Sequence, residues 1–239
     1  MTNQSIGEVL REVFTTLGQQ IRDAAKEVYY FITDLFKPVL SDRTIMRLNK
    51  KGILIEGELK SEQIQPNSVD LTLGDTFKRL KPNGDLFAGP VIDVRDPINY
   101  EAGTFCEDPI SNADAMAPGV KWYKLEPGEF CLMASKEVLN IPNGVLSFVQ
   151  GRSSIARIAI QTEQAGLIDA GFRGTITFEV YNQSKYPIVL FSGMRIAQVY
   201  FFKAQHASKV YGDPSRGSKY YNQMEATGSR IYIDPEIHY

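Results

Sequence analysis

Between Gly151 and Asn182 the chain reads GRSSIARIAIQTEQAGLIDAGFRGTITFEVYN, and its residue types lie at spacings that suit chemistry. Gly151 lets backbone approach an anion closely. If the chain turns there into a helical start, the next amides point outward, and the hydroxyls of Ser153 and Ser154 add donors beside Arg152. Arg157 follows Ser153 by four residues, so one helical turn sets both on one face, where a guanidinium can support a ligand or orient an acid. The same residues would equally make a capped turn with a surface arginine. Asp169 lies in the glycine-bracketed run Gly166 to Gly171; it could bind a sugar hydroxyl, activate a water or cap a turn. Glu179 closes the set. In the strand Thr175 to Val180, alternation sets Thr175, Thr177, Glu179 and Tyr181 on one face and Ile176, Phe178 and Val180 on the other. A carboxylate on so apolar a strand is expected in a cleft or subunit seam, as a general base, or else on a solvated strand face. Together these parts would hold a phosphorylated small molecule and present it to a base.

Other chemistries fit less well. Zinc deaminases need His-x-Glu with Pro-Cys-x-x-Cys, whereas this chain has two isolated cysteines, Cys106 and Cys131, and two histidines, His206 and His238. Neither histidine lies in a motif that would serve a Ser-His-Asp triad. There is no Gly-x-Gly-x-x-Gly and no Walker-type loop. A formal charge of −2 gives no global attraction to nucleic acid or an anionic membrane. No apolar run reaches the roughly 18 residues of a membrane span, and the N-terminal residues are too polar for a signal peptide. The cysteines make no disulfide framework, so a cytoplasmic location is expected.

The elements that must position this chemistry are mostly strands. Residues 5 to 36 form the exception: an apolar stripe from Ile6 to Phe36 recurs at helical spacing, with Gly18 as a point of bending. Its opposite face mixes acids and bases, which argues against a basic membrane-surface helix. Ser41-Asp42 caps a short helix, Arg43 to Asn49, that stops near Gly52. From Ile53 the texture becomes short strands and turns. Ser68 to Leu73 alternates strictly, with Val69, Leu71 and Leu73 on one face. Pro82-Asn83-Gly84-Asp85 and Pro142-Asn143-Gly144 read as hairpin turns. Residues 88 to 120 read as irregular loop. Further strands are expected at Val145 to Val149, Thr175 to Tyr181, Pro187 to Phe191 and Arg195 to Phe202. The pattern predicts a mainly β antiparallel barrel or jelly roll. It divides into a helical extension, 1–38, and a barrel, 39–239, whose polar, aromatic tail, 205–239, is expected to be mobile until a ligand orders it.

Seven segments taken in order resemble the dCTP deaminase branch of the deaminase/dUTPase superfamily. They are Gln65 to Leu71, Pro127 to Phe130, Gly151 to Arg157, Ala165 to Phe172, Thr177 to Glu179, Gly193 to Gln198, and Ser218-Lys219-Tyr220 with Gln223. The resemblance implies a distorted jelly roll in a homotrimer, with active sites at subunit seams. It implies zinc-free deamination of dCTP to dUTP and ammonia, with Mg2+ on the triphosphate and no metal held directly by the protein. Glu179 matches the catalytic glutamate that activates the attacking water, supported by Ser153 and Arg157; Asp169 matches the acid near deoxyribose. Arg152 and Ser154 match the phosphate turn. Thr177, Phe178 and Gln198 fall in segments matching the nucleotide site, and Tyr211, Lys219 and Gln223 match a tail that closes over sugar and phosphates. Leu167 stands where enterobacterial-type deaminases carry a basic residue, so Ala165 to Phe172 resembles more the bifunctional members that continue to dUMP and diphosphate. The loop Ile158 to Leu167 departs from the family in being one residue shorter and in reading Glu163-Gln164-Ala165 where relatives often have a His and then Thr-Ala. The alternative functions are a dUTP diphosphatase, in which Asp169 activates the water, and a silent nucleotide-binding or assembly module working through the N-terminal helix.

Overall fold

A computed structural model describes residues 6–34, 37–86, 89–107, 120–162 and 165–238. The chain forms two compact units, Met1–Pro38 and Val39–Tyr239. The first is one helix, α1 (Ile6–Asp34), which runs unbroken through Gly18; Leu35 and Phe36, the expected end of the stripe, lie outside the described residues. Among the described residues no helix is long and apolar enough to cross a membrane.

The second unit opens with α2 (Asp42–Asn49), entered at Ser41 and followed by Gly52 at φ 71°. Its strands are β1 (Leu54–Glu56), β2 (Ile64–Gln65), β3 (Ser68–Lys81), β4 (Gly84–Leu86), β5 (Gly89–Val91), β6 (Asn99–Thr104), β7 (Trp122–Leu125), β8 (Phe130–Asn140) and β9 (Val145–Gly151). A one-turn helix, α3 (Ser153–Ala156), precedes β10 (Ile160–Gln161), β11 (Leu167–Ile168), β12 (Arg173–Asn182), β13 (Ile188–Phe191) and β14 (Arg195–Lys203). A curled antiparallel sheet runs β10-β12-β8-β3-β14-β9-β11, with β1 added to β8 and β2 and β6 added to β3. The mainly β, barrel-type class is as expected. Strand β3 joins the two halves of this sheet: it pairs with β14 through Val69 to Thr72, then with β8 from Leu73 to Arg79. Its alternation puts Val69, Leu71 and Leu73 in the core at 0% exposure, with Phe178, Val180 and Phe201.

Three local readings differ from the structure. The Asn83-Gly84 pair makes no hairpin turn. Instead the Asn83 side chain clamps the following loop, donating to the Asp93 carbonyl at 2.8 Å and accepting from the Asp93 amide at 2.7 Å, while Gly84 begins β4. Pro142 to Gly144 is a tight turn, with Gly144 at φ 87°, but it links β8 to β9, which are not neighbours. It carries the chain from one half of the curled sheet to the other. The stretch 88–120, expected to be irregular, contains β5 and β6; residues 108–119 lie outside the described set.

Candidate functional site

The β12 strand lays the site's floor. Its register against β8 shifts between Thr175 and Thr177, so the expected alternation holds only from Thr177 onward. Upstream of this bulge Thr175 is buried, and Ile176 turns outward to share a wall with Thr177 and Glu179. The Ile176 amide, displaced from the ladder, donates to Ser135 Oγ at 2.9 Å. Bulges re-aim side chains in this way beside functional sites. Phe178 lies with the core at 0% exposure, so its side chain has no access to the cleft; only its backbone remains for a ligand.

Thr177 and Glu179 open into a cleft of about 760 Å³. One wall is apolar: Leu80, Ile92, Val94, Ile98, Phe130 and Leu132. The opposite wall is the loop Ala165 to Asp169. Glycine is needed there because a Cβ on Gly166 would meet the Val149 carbonyl oxygen at 2.3 Å, where the backbones meet through the Val149 amide donating to the Gly166 carbonyl at 2.8 Å. That approach sets Asp169 on the cleft wall. The Ala165 amide donates to Glu179 Oε2 at 3.3 Å, tying the loop to the strand. Glu163 and Gln164, which depart from the family pattern, lie outside the described residues.

The tail forms the remaining wall with Tyr211, Tyr220, Gln223, Thr227, Ser229 and Ile231. It is seated by hydrogen bonds. Gln223 Nε2 donates to the Thr175 carbonyl at 2.8 Å, the Thr227 amide to Thr177 Oγ1 at 3.1 Å, and the Ser229 amide to the Tyr100 hydroxyl at 2.9 Å. Thr177 therefore holds the tail as well as lining the cleft. Tyr211 accepts from the Tyr220 amide at 2.9 Å, and burial pushes its phenol above the ordinary range. Lys219 is not on the cleft wall. Its ammonium binds both oxygens of Asp234, at 2.7 and 2.9 Å, and this pairing raises its pKa.

The cationic residues form a separate group. Arg157 Nε donates to Ser153 Oγ at 3.2 Å across α3, as the four-residue spacing predicts. Arg152, just before α3, donates to the Arg195 carbonyl at 3.1 Å, and its Nε stands 3.3 Å from Asp70 Oδ2. Asp70 is 1% exposed and also binds Arg195 Nη1 at 3.1 Å. This buried acid was not singled out by sequence reasoning, although it lies within the Ser68 to Leu73 alternation. It fixes the Gly151–Arg152 turn to β14. Gln198, also on β14, donates to the Tyr200 hydroxyl at 2.5 Å. Arg152, Ser153, Ser154, Arg157 and Gln198 do not line the cleft. The described lining holds two carboxylates, Asp169 and Glu179, and no Lys or Arg. Among the described residues no three His, Cys, Asp or Glu side chains are grouped to hold a metal. Cys131 is a buried thiol that burial pushes up to about 12, so it is a packing residue.

A family model described as dCTP deaminase-like matches residues 39–204. Similar curated proteins include the dCTP deaminase, dUMP-forming, of Sulfurihydrogenibium sp., 37% identical over 82% of this chain and 98% of the relative. The protein of the same name from Methanothermobacter thermautotrophicus is 38% identical, covering 83% of this chain and 96% of the relative. Among solved structures, the 2'-deoxycytidine 5'-triphosphate deaminase from Agrobacterium tumefaciens matches with a TM-score of 0.52 and 24% identity, over 70% of this chain and 49% of that one. The last likeness bears on the fold alone.

Proposed function

This chain belongs to the dCTP deaminase family, and from that premise we propose that it deaminates dCTP to dUTP and ammonia and carries the product on to dUMP and diphosphate. The observation that carries the reading is the cleft in which Glu179 and Asp169 face an apolar wall beneath Tyr211, Tyr220 and Gln223. The apolar wall takes the base and sugar out of water, and a carboxylate in that setting can move a proton. Glu179 takes a proton from the water that adds to C4 of cytosine. It passes that proton to N3, and the remaining proton of the C4 hydroxyl then goes to the exocyclic nitrogen, which leaves as ammonia as the C4 carbonyl forms. Ser153 and Arg157 act as one hydrogen-bonded unit that orients the water and the base. In the second step Asp169 takes the proton of the water that attacks the α-phosphorus, and diphosphate departs. Leu167 on the cleft wall supports this continuation, because no cation stands there to occupy Asp169.

A cleft with two carboxylates and no cation does not bind a triphosphate unaided. The arginines reach it if a second copy brings its Arg152-to-Arg157 turn to the cleft mouth, which supports a homotrimer with sites at its seams. Arg152 and Ser154 then bind phosphate, Gln198 and the Phe178 backbone complete the nucleotide contacts, and Lys219 acts from the tail. Mg2+ bound to the triphosphate would offset phosphate charge. Two free cysteines suit a reducing compartment, and we place the protein in the cytoplasm.

The test is incubation with dCTP, and separately with dUTP, in the presence of Mg2+, resolving dUTP, dUMP, ammonia and diphosphate. Ammonia and dUMP from dCTP are expected. Turnover of dUTP without any ammonia from dCTP would instead establish a dUTP diphosphatase.

A further inference from the structure

We infer that Asp234 is a built-in competitor for phosphate at Lys219, so that a nucleotide must take the ammonium from a carboxylate of the chain itself. The inference rests on the phosphate role proposed above for Lys219. That ammonium is already engaged. The two oxygens of Asp234 lie 2.7 and 2.9 Å from its Nζ, and each of the two side chains is only 26% exposed. Neighbouring contacts set the pair in place. The Arg230 amide donates to the Tyr220 hydroxyl at 3.1 Å, and Arg230 Nη1 donates to the Lys219 carbonyl. The Arg230 guanidinium also stands 6.0 Å from the centre of the Tyr220 ring. The end of the chain thus folds back on the residue expected to reach for substrate.

Two features make this contact a competitor and not a brace. The first is charge. An ammonium has three donors and no acceptor. A triphosphate brought to it would stand beside the Asp234 carboxylate. The cleft below already holds Asp169 and Glu179, and its described lining has no Lys or Arg. Like charges repel at that range, so phosphate displaces the carboxylate instead of sharing the ammonium with it. The second feature is that Asp234 has another place to go. It precedes the one-turn helix Pro235–Ile237 with extended backbone, φ −75° and ψ 128°. From that place and shape an aspartate ordinarily accepts from amides of the turn that follows. Here its side chain caps nothing, since its oxygens are with Lys219. Once released it can turn to those amides, so the carboxylate is satisfied in both states. The exchange breaks one partly exposed ion pair and leaves no buried charge unpaired. Substrate therefore gains only the difference between phosphate and carboxylate at Lys219, and departing diphosphate is replaced by an anion already at hand.

The test is equilibrium binding of α,β-imido-dUTP, which resists cleavage between its α- and β-phosphates, to the full chain with Mg2+. Asp234→Asn is expected to bind it about two- to fivefold more tightly than the unsubstituted chain, the scale of a partly exposed ion pair. Lys219→Met is expected to bind it more weakly. Glu236→Gln controls for charge alone, because the charge of Glu236 reaches Lys219 while its oxygens do not bind the ammonium. It should change affinity less than Asp234→Asn does. Far-UV circular dichroism and melting of each variant show that the fold survives. An Asp234→Asn chain that binds no more tightly than the unsubstituted chain would make Asp234 a brace that presents Lys219, and would overturn the competitor. An effect no larger than that of Glu236→Gln would overturn it too. Unchanged binding by Lys219→Met would instead remove the phosphate role of Lys219, and the competitor with it.

Discussion

At the scale of single residues, Glu179 and Asp169 divide the bonds that the proposed reaction breaks. Glu179→Gln keeps the side chain's shape and its acceptor for the Ala165 amide but removes the base. Deamination should fall by at least about 10²-fold, the usual size of a general base's contribution, with nucleotide binding retained. Ammonia release and equilibrium binding on one preparation measure both; unchanged dCTP turnover would remove Glu179 from its role. Asp169→Asn should reduce dUMP formation more steeply than ammonia release, and equal losses would leave Asp169 a binding residue only. Both acids were legible because a carboxylate on an apolar strand and an acid bracketed by glycines are local signals. Asp70 was not. Alternation assigns it to the face opposite Val69, Leu71 and Leu73, and there Arg152 and Arg195, far along the chain, close over it together with Gln65. Phe178 shows the converse limit: its neighbours in sequence point into the cleft, and its own phase turns it to the core.

Among the elements, the tail and β12 depend on one another. Gly174, at φ 147°, pairs with Gln223, and the Thr175 amide donates to the Gln223 carbonyl at 2.9 Å. A Cβ there would lie 2.5 Å from that carbonyl oxygen, which is backbone and cannot swing away. Gly174→Ala is therefore expected to lift the tail from the cleft and to cost roughly 1–3 kcal/mol of backbone strain. Hydrogen exchange should rise across Tyr220 to Ile231 while β8 and β3 stay protected, and KM for dCTP should rise. Unchanged exchange in the tail would mean that the seat lies elsewhere. The same strand shows why the fold was legible in class but not in detail. Apolar alternation and frequent turns announced an antiparallel barrel. A bulge such as that at Ile176 depends on what Ser135 offers its amide across the sheet, which no local pattern records. Likewise Asn83-Gly84 carries hairpin residues, yet its amide finds better partners in the loop after β5.

At the scale of the whole molecule, the proposed seam site would be divisible between copies, because the carboxylate cleft and the arginine turn are separate groups. Glu179→Gln and Arg157→Ala chains, each inactive, should regain part of their activity when co-expressed, because some seams then receive an intact cleft and an intact turn. A mixture as inactive as its parts would mean that both groups act within one chain. The N-terminal helix enters the argument differently. Every residue given a role in the reaction lies at or after Leu80, and the matched family region begins at residue 39. Each large side chain that the stripe buries contributes about 1.5 to 3 kcal/mol. Deleting residues 1–38 should thus remove a source of association and not the chemistry. The truncated chain is expected to retain dCTP-dependent ammonia release and the oligomer of the barrel, and to lose thermal stability or any larger assembly built through α1. Light scattering, melting and a deamination assay on the truncated chain measure these together. A folded oligomer without activity would mean that the helix helps to form the site. Identity with the full chain in mass per subunit, stability and turnover would leave the stripe without a partner of its own kind.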